Sequence, residues 1–256
     1  MKQLLTLVLV LFSQAIVSQQ YDSVVIETSD IDTNNEIYKT GTNYVFDYEI
    51  IQNGKAYKLK KNNGMFAGSD FELVPVGTDS LEVEKINMSI QAVPDEDRSN
   101  ENQTQITYSQ IPSLNSYQMT GLVENTDNIW LHPTRAGFFN SLETCPFPFI
   151  KKPLKVGTEW TDAMKIGQGW RNELWGMWEG SLILDYTYNI TGKKLLKTEL
   201  GSIECFIIES TASSSIGTTK LTSYFSEEYG FVRYEYELLN DLQVNFWVID
   251  YKSASN

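Results

Sequence analysis

From Tyr44 the apolar positions alternate, with Tyr44, Phe46, Tyr48 and Ile50 on one side and Asp47 and Glu49 on the other. A period of two predicts a half-buried strand. Asn53-Gly54 follows, a strong two-residue hairpin signal, and the alternation resumes through Tyr57 and Leu59 before Asn62-Asn63-Gly64 turns the chain again. Further strands are predicted over 71–76, 81–92, 104–110 and 117–124. Between two of them, residues 94–102 hold no apolar side chain after Pro94 and read as a solvated loop tip.

The C-terminal part repeats the pattern with greater regularity. Leu182, Leu184, Tyr186, Tyr188 and Ile190 alternate with more polar neighbours, and Gly192-Lys193 reads as a turn into a second strand over 194–200. Gly201-Ser202 turns into a third strand over 203–210, followed by a fourth over 220–225. After the turn Glu227-Glu228-Tyr229-Gly230, residues Val232, Tyr234, Tyr236 and Leu238 face one way and Arg233, Glu235 and Glu237 the other. Asn240-Asp241 leads into a last strand over 242–251. Strands at this spacing predict a mainly β protein: a curved antiparallel sheet, as a half-barrel or a sandwich.

The stretch 129–160 breaks the pattern. Pro133, Pro146, Pro148 and Pro153 punctuate it. A short helix is expected over 133–143, with Phe138, Phe139 and Leu142 on one face, and Cys145-Pro146-Phe147-Pro148-Phe149 must be extended. The chain thus divides into a linker or edge segment (19–43), an N-terminal strand group (44–128), a proline-rich connector (129–160) and a C-terminal strand group (161–256), with 44–256 expected as one domain.

Residues 1–18 stand apart. Lys2, the apolar run Leu4–Phe12 and a polar stretch ending at Ser18 follow the plan of a secretory signal peptide. The apolar run is too short for a stop-transfer helix, and no later segment reads as a membrane span. No cysteine lies near the expected cut, so the product is expected to be periplasmic or extracellular without a lipid anchor. The formal charge of −13 opposes nucleic-acid binding, which needs a basic surface. One histidine and two cysteines give neither a multi-histidine metal site nor a disulfide scaffold, and no cofactor is implied.

Several C-terminal motifs occur in a recognisable order: Pro153-Leu154-Lys155-Val156-Gly157-Thr158-Glu159-Trp160, then Ile190-Thr191-Gly192-Lys193, then Thr198 through Cys205, then Tyr224 through Val232. This run resembles the uncharacterised exported β-rich proteins of Bacteroidota of the TapB-like kind. The resemblance covers roughly Pro153 to Tyr251, with some support from Asn128 to Pro133, and departs from the family pattern at Glu199-Leu200. It implies a curved antiparallel sheet, like the half-barrel of periplasmic lipoprotein carriers, and no particular activity.

The segment Gly167–Gly180 holds three tryptophans separated by glycines. Indole rings suit stacking on sugars or lining a lipid cleft, and equally suit capping the end of a sheet. If they form a ligand surface, Trp170, Trp175, Met177 and Trp178 carry it. His132 is the one side chain suited to general-base chemistry near neutral pH, and Arg135 three residues on suits an anion. No Gly-x-Ser-x-Gly elbow supplies a nucleophile for it, so a structural histidine is the stronger reading. Asp30 through Glu36 places oxygen ligands at alternate positions but lacks the glycine and terminal glutamate of a calcium loop, leaving a solvated linker. Cys145 and Cys205 are candidates for one disulfide, or for free thiols, Cys205 lying in an apolar strand.

These features predict a non-enzymatic exported protein that binds an apolar or amphiphilic ligand, or an envelope partner, on a concave sheet; the partners in view are a lipid, a glycan or an envelope protein. Two alternatives remain: a secreted carbohydrate hydrolase using carboxylates near the tryptophan segment, and a structural or assembly module of the envelope whose edge strand pairs with a partner.

Overall fold

The computed structural model describes residues 31–61, 70–78, 82–112 and 117–254. The signal-peptide expectation, the turn at Asn62-Asn63-Gly64 and Asp30 of the calcium-like stretch lie outside them.

The strands are β1 (Asn43–Gln52), β2 (Lys55–Leu59), β3 (Leu73–Pro75), β4 (Lys85–Ile90), β5 (Thr104–Ile111), β6 (Tyr117–Glu124), β7 (Asn128–Leu131), β8 (Phe149–Lys151), β9 (Glu159–Gly167), β10 (Ser181–Thr198), β11 (Gly201–Ser214), β12 (Gly217–Ser226), β13 (Gly230–Glu237) and β14 (Gln243–Lys252). They build one antiparallel sheet in the order β8-β7-β6-β5-β4-β1-β14-β13-β12-β11-β10-β9, with β2 and β3 branching from β1. Two meanders, β4 to β8 and β9 to β14, therefore meet on β1, which pairs with β4 on one side and β14 on the other. The sheet is not closed into a barrel by strand pairing. Its end strands meet through side chains instead: the Phe149 ring of β8 lies 5.4 Å from both Trp160 of β9 and Tyr188 of β10.

The alternation places the core as expected. Tyr44, Phe46, Tyr48 and Ile50 are buried on the inner face, as are Val232, Tyr234, Tyr236 and Leu238. Asn53 and Gly54 both take positive φ, as a tight two-residue hairpin with right-handed strand twist requires. Gly192-Lys193 is not a turn. β10 runs on for 18 residues, and a bulge between Ile190 and Gly192 absorbs one extra residue against β11. The connector is also more structured than its prolines suggest, since it contains β7 and β8 and the start of β9.

The expected helix is a 3₁₀ helix over Gly137–Thr144. It starts four residues after Pro133 because Gly137 enters it in the left-handed region, which an α-helix begun at Pro133 could not accommodate. This helix and the extended residues after it fill the concave side of the sheet, and every residue from 136 to 150 except half-buried Asn140 is buried. Phe139 packs against Tyr48 of β1 and Phe246 of β14 at ring distances of 5.3 and 5.1 Å. A cavity of about 20 Å³ lies in the apolar interior among Phe46, Tyr108, Tyr234 and Phe246. That is room for about one water, not for a lipid.

The described part of the N-terminal segment is pinned rather than a solvated linker. The buried Glu124 carboxylate accepts the backbone N–H groups of Ile37 and Tyr38. Tyr38 Oη in turn accepts the Phe231 N–H at 2.7 Å, and Asp32 is ion-paired with Arg98 at 2.7 Å.

The disulfide expectation is corrected: Cys145 and Cys205 are separate buried thiols. Thr219 Oγ1 donates to the carbonyl of Thr144, next to Cys145, and Thr219 pairs with Ala212 on β11. Ala212 is seven residues along that strand from Cys205, so at ~3.3 Å per residue the sulfurs stand roughly 20 Å apart, far beyond bridging reach.

Candidate functional site

The chain leaves the sheet at the end of β7. His132 N–H donates to the Gly121 carbonyl of β6 at 3.2 Å, and the His132 carbonyl accepts Tyr108 Oη at 2.9 Å. The backbone is thus fixed on both sides where it turns inward. The imidazole lies against Phe147, with ring centroids 4.7 Å apart, and edge-on to Trp130 at 6.0 Å. Its Nδ1 is 2.8 Å from the Pro133 carbonyl, and a carbonyl only accepts, so Nδ1 carries the proton. Nε2 then faces Glu143 Oε1 of the 3₁₀ helix at 3.4 Å. Burial pushes the His132 pKa down to about 3, and the positive charge of Arg135 acts in the same direction. The ring is neutral near pH 7.

Arg135 is held by its backbone, whose N–H donates to Gln118 Oε1 at 2.9 Å, an acceptor shared with Thr134 Oγ1. Its guanidinium reaches across to the second meander and lies over the Trp170 ring at 5.8 Å. Together these groups line a cleft of about 340 Å³ between the two meanders. One wall comes from β6, β7 and the connector, the other from residues 164–167 of β9 and Trp170, and the loop around Ser99 and Gln103 borders it. Gly121 is required here: a Cβ at that position would lie 1.9 Å from Gln103 Oε1.

The structure therefore brings His132, Arg135 and Trp170 together and separates the other tryptophan-segment candidates from them. Trp175 is core, packed on Phe138 and Phe71, with its indole N–H donating to the Trp170 carbonyl at 2.9 Å. Trp178 is buried and is not among the cleft-lining residues, while Met177 is 53% exposed and also lies outside the lining. The segment is tied down at Gly176, where φ is +133° and a Cβ would meet Ile216 at 2.7 Å.

Sequence reasoning missed Glu143, Gln103, Gly121 and Lys165 as cleft residues. An isolated glycine inside the strand pattern of β6 was the available signal of close approach. The meeting of β9 with the connector has no local signal. A wider groove of about 700 Å³ lies at the other end of β7, bordered by Glu36, Asp127, Glu227, Glu228 and Lys152. Among the described residues no cluster of histidine, cysteine, aspartate or glutamate is arranged to hold a metal ion, and no helix is long and apolar enough to cross a membrane.

No family model and no curated protein matches the sequence, so the TapB-like resemblance gains no support from them. Three solved structures are similar in fold. A Parabacteroides distasonis ATCC 8503 protein proposed to be a lipoprotein shares 12% identity at a TM-score of 0.45, over 84% of this chain and 97% of its own. A Bacteroides fragilis NCTC 9343 protein proposed to be exported, with a YmcC-like fold, shares 10% at a TM-score of 0.40, over 85% and 98%. The hypothetical lipoprotein YmcC of Escherichia coli K12 shares 13% at a TM-score of 0.38, over 86% and 92%. Likeness at this level extends to neither activity nor ligand.

Proposed function

We propose that this chain is an exported, non-catalytic binding protein whose cleft between the two meanders holds an anionic ligand with a flat or apolar body. The observation that carries this reading is the Arg135 guanidinium over Trp170, at the mouth of a cleft whose walls include Trp130 and Phe147. A cation beside aromatic faces suits a carboxylate, sulfonate or phosphate attached to an apolar group. The filled interior directs the ligand to this cleft rather than to the concave face of the sheet. Export rests on the signal-like residues 1–18.

Hydrolysis is the weaker reading. Glycoside hydrolysis by two carboxylates needs an opposed pair, and among the described residues lining this cleft Glu143 is the one carboxylate.

The test is a fluorescence titration with 8-anilinonaphthalene-1-sulfonate, an anion on a planar apolar body. Arg135→Ala is expected to weaken binding about tenfold, the effect of losing one charge-assisted contact of ~1.4 kcal/mol. Met177→Ala, outside the cleft, should leave it unchanged. Equal affinity of wild type and Arg135→Ala would overturn the reading.

A further inference from the structure

The cleft has a second property besides its cation. Its C-terminal wall is formed by four consecutive residues of β9, Met164-Lys165-Ile166-Gly167. Consecutive residues of a strand point to opposite faces, so a surface that meets all four meets the strand edge-on. Among the described residues β9 has one strand partner, β10, in register from Gly167↔Ser181 to Glu159↔Asn189. In an antiparallel pair alternate residues turn their N–H and C=O groups away from the partner, so β9 presents a row of unused backbone donors and acceptors to the cleft. The opposite wall does not use them: β6 is paired with β7 only over Leu122–Glu124, and near Gln118 its free side is occupied by Thr134 and Arg135.

Resting on the reading that the cleft binds an anionic ligand, we propose that this ligand is an extended acidic segment of a partner protein, which adds to the edge of β9 as one more strand. Main-chain hydrogen bonds to β9 supply affinity, and the alternation of the incoming side chains supplies specificity. Inward-pointing residues meet an apolar floor, because Met164, Ile166, Trp130 and Phe147 are buried there. Outward-pointing residues meet a cationic rim. Lys165 is exposed on the outer side of β9, and the Arg135 guanidinium sits at the solvent edge beside the exposed Met119. A strand that alternates apolar with acidic residues satisfies floor and rim at once. This commits the occupant to a partner with acidic side chains in an extended stretch, and two rim cations on a chain of net charge −13 make the attraction local to the cleft.

The experiment uses the full mature chain and an acetylated, amidated fluorescent octapeptide alternating valine with glutamate, read by anisotropy. Two further peptides carry backbone N-methyl groups at alternate positions, or lysine in place of glutamate. The expected result is saturable binding of the glutamate peptide, at least a tenfold loss on N-methylation, and a similar loss for the lysine peptide and for the Arg135→Ala/Lys165→Ala variant. If the N-methylated peptide binds as tightly as its parent, the strand-addition proposal is overturned. The anionic-cleft reading then still stands, provided the naphthalenesulfonate titration depends on Arg135. Absence of peptide binding overturns the proposal as well. If that absence comes with a concentration-dependent dimer, the edge is taken by a second copy. Because N-methylation alters only the peptide, this arm does not depend on any variant folding.

Discussion

The two meanders of the sheet are built on different logics. β9 to β14 is a run of longer strands in which inner and outer residues mostly alternate, as in Val232 through Leu238, although β12 ends in four buried residues, Ser223 to Ser226. β4 to β8 has shorter strands, and between β7 and β8 the chain abandons the sheet to run through its interior. The C-terminal meander supplies a regular wall. The N-terminal meander supplies that wall's filling, together with His132, Arg135 and Glu143. The difference shows how one pleated surface gains a site: regular strands give a rigid frame, and the irregular segment packed against it carries the polar side chains.

The largest expected effect tests whether the filling belongs to both halves. Phe139 is fully buried and touches β1 and β14. Phe139→Ala should cost about 3–5 kcal/mol and keep a single unfolding transition in urea followed by fluorescence and circular dichroism. Two separated transitions would show that the meanders are stabilised independently. The next effect sits at the regular wall's link to the N-terminal segment. Gly230 has a φ of +71°, and a Cβ there would lie 2.3 Å from Tyr38 Oη. Gly230→Ala should cost about 2–3 kcal/mol by strain and displacement of Tyr38, read as a lowered denaturation midpoint.

A third effect belongs to the irregular half. Burial holds the folded-state pKa of His132 at about 3, below the ordinary value of 6.5. Across that interval the unfolded chain binds a proton that the folded chain refuses, so stability falls as pH drops below 6.5. Desolvation dominates, Arg135 acts with it, and the Pro133 carbonyl, which accepts from Nδ1, opposes both by favouring the charged form. Between pH 7 and 4.5 the wild type should lose about 2 kcal/mol more than His132→Asn. Parallel pH profiles would assign the loss to other groups. The smallest effect is on the outer face of the regular wall: Ile183 of β10 is 40% exposed, and Ile183→Ala should change stability by less than ~0.5 kcal/mol.

The same contrast explains what the amino-acid pattern revealed. Strands such as β1, β13 and β14 were legible because one face is buried and the other wet, which writes a period of two into the chain. The continuation of β10 through Gly192 was not, because a bulge adds Thr191 and the pair Gly192-Lys193 looks like a turn. The filling of the interior by 136–150 was hidden as well. Prolines and aromatics predicted an extended apolar stretch, while what it packs against lies on strands far away in sequence. His132, Arg135 and Trp170 were each visible as unusual residues. Their convergence depends on β9 facing β6 across an unclosed sheet, a tertiary fact with no local signature. Trp175 and Trp178 illustrate the opposite case, in which a conspicuous segment mostly packs inward.

The separate thiols have a use of their own. Burial raises the Cys145 pKa to about 12 and that of Cys205 to about 11, so neither is a ready nucleophile while covered. One lies in the interior segment and the other on β11, roughly 20 Å away by strand geometry. Each therefore becomes alkylatable only when its own neighbourhood opens, and the rates of labelling at the two sulfurs clock separately the loosening of the plug and of the frame around it.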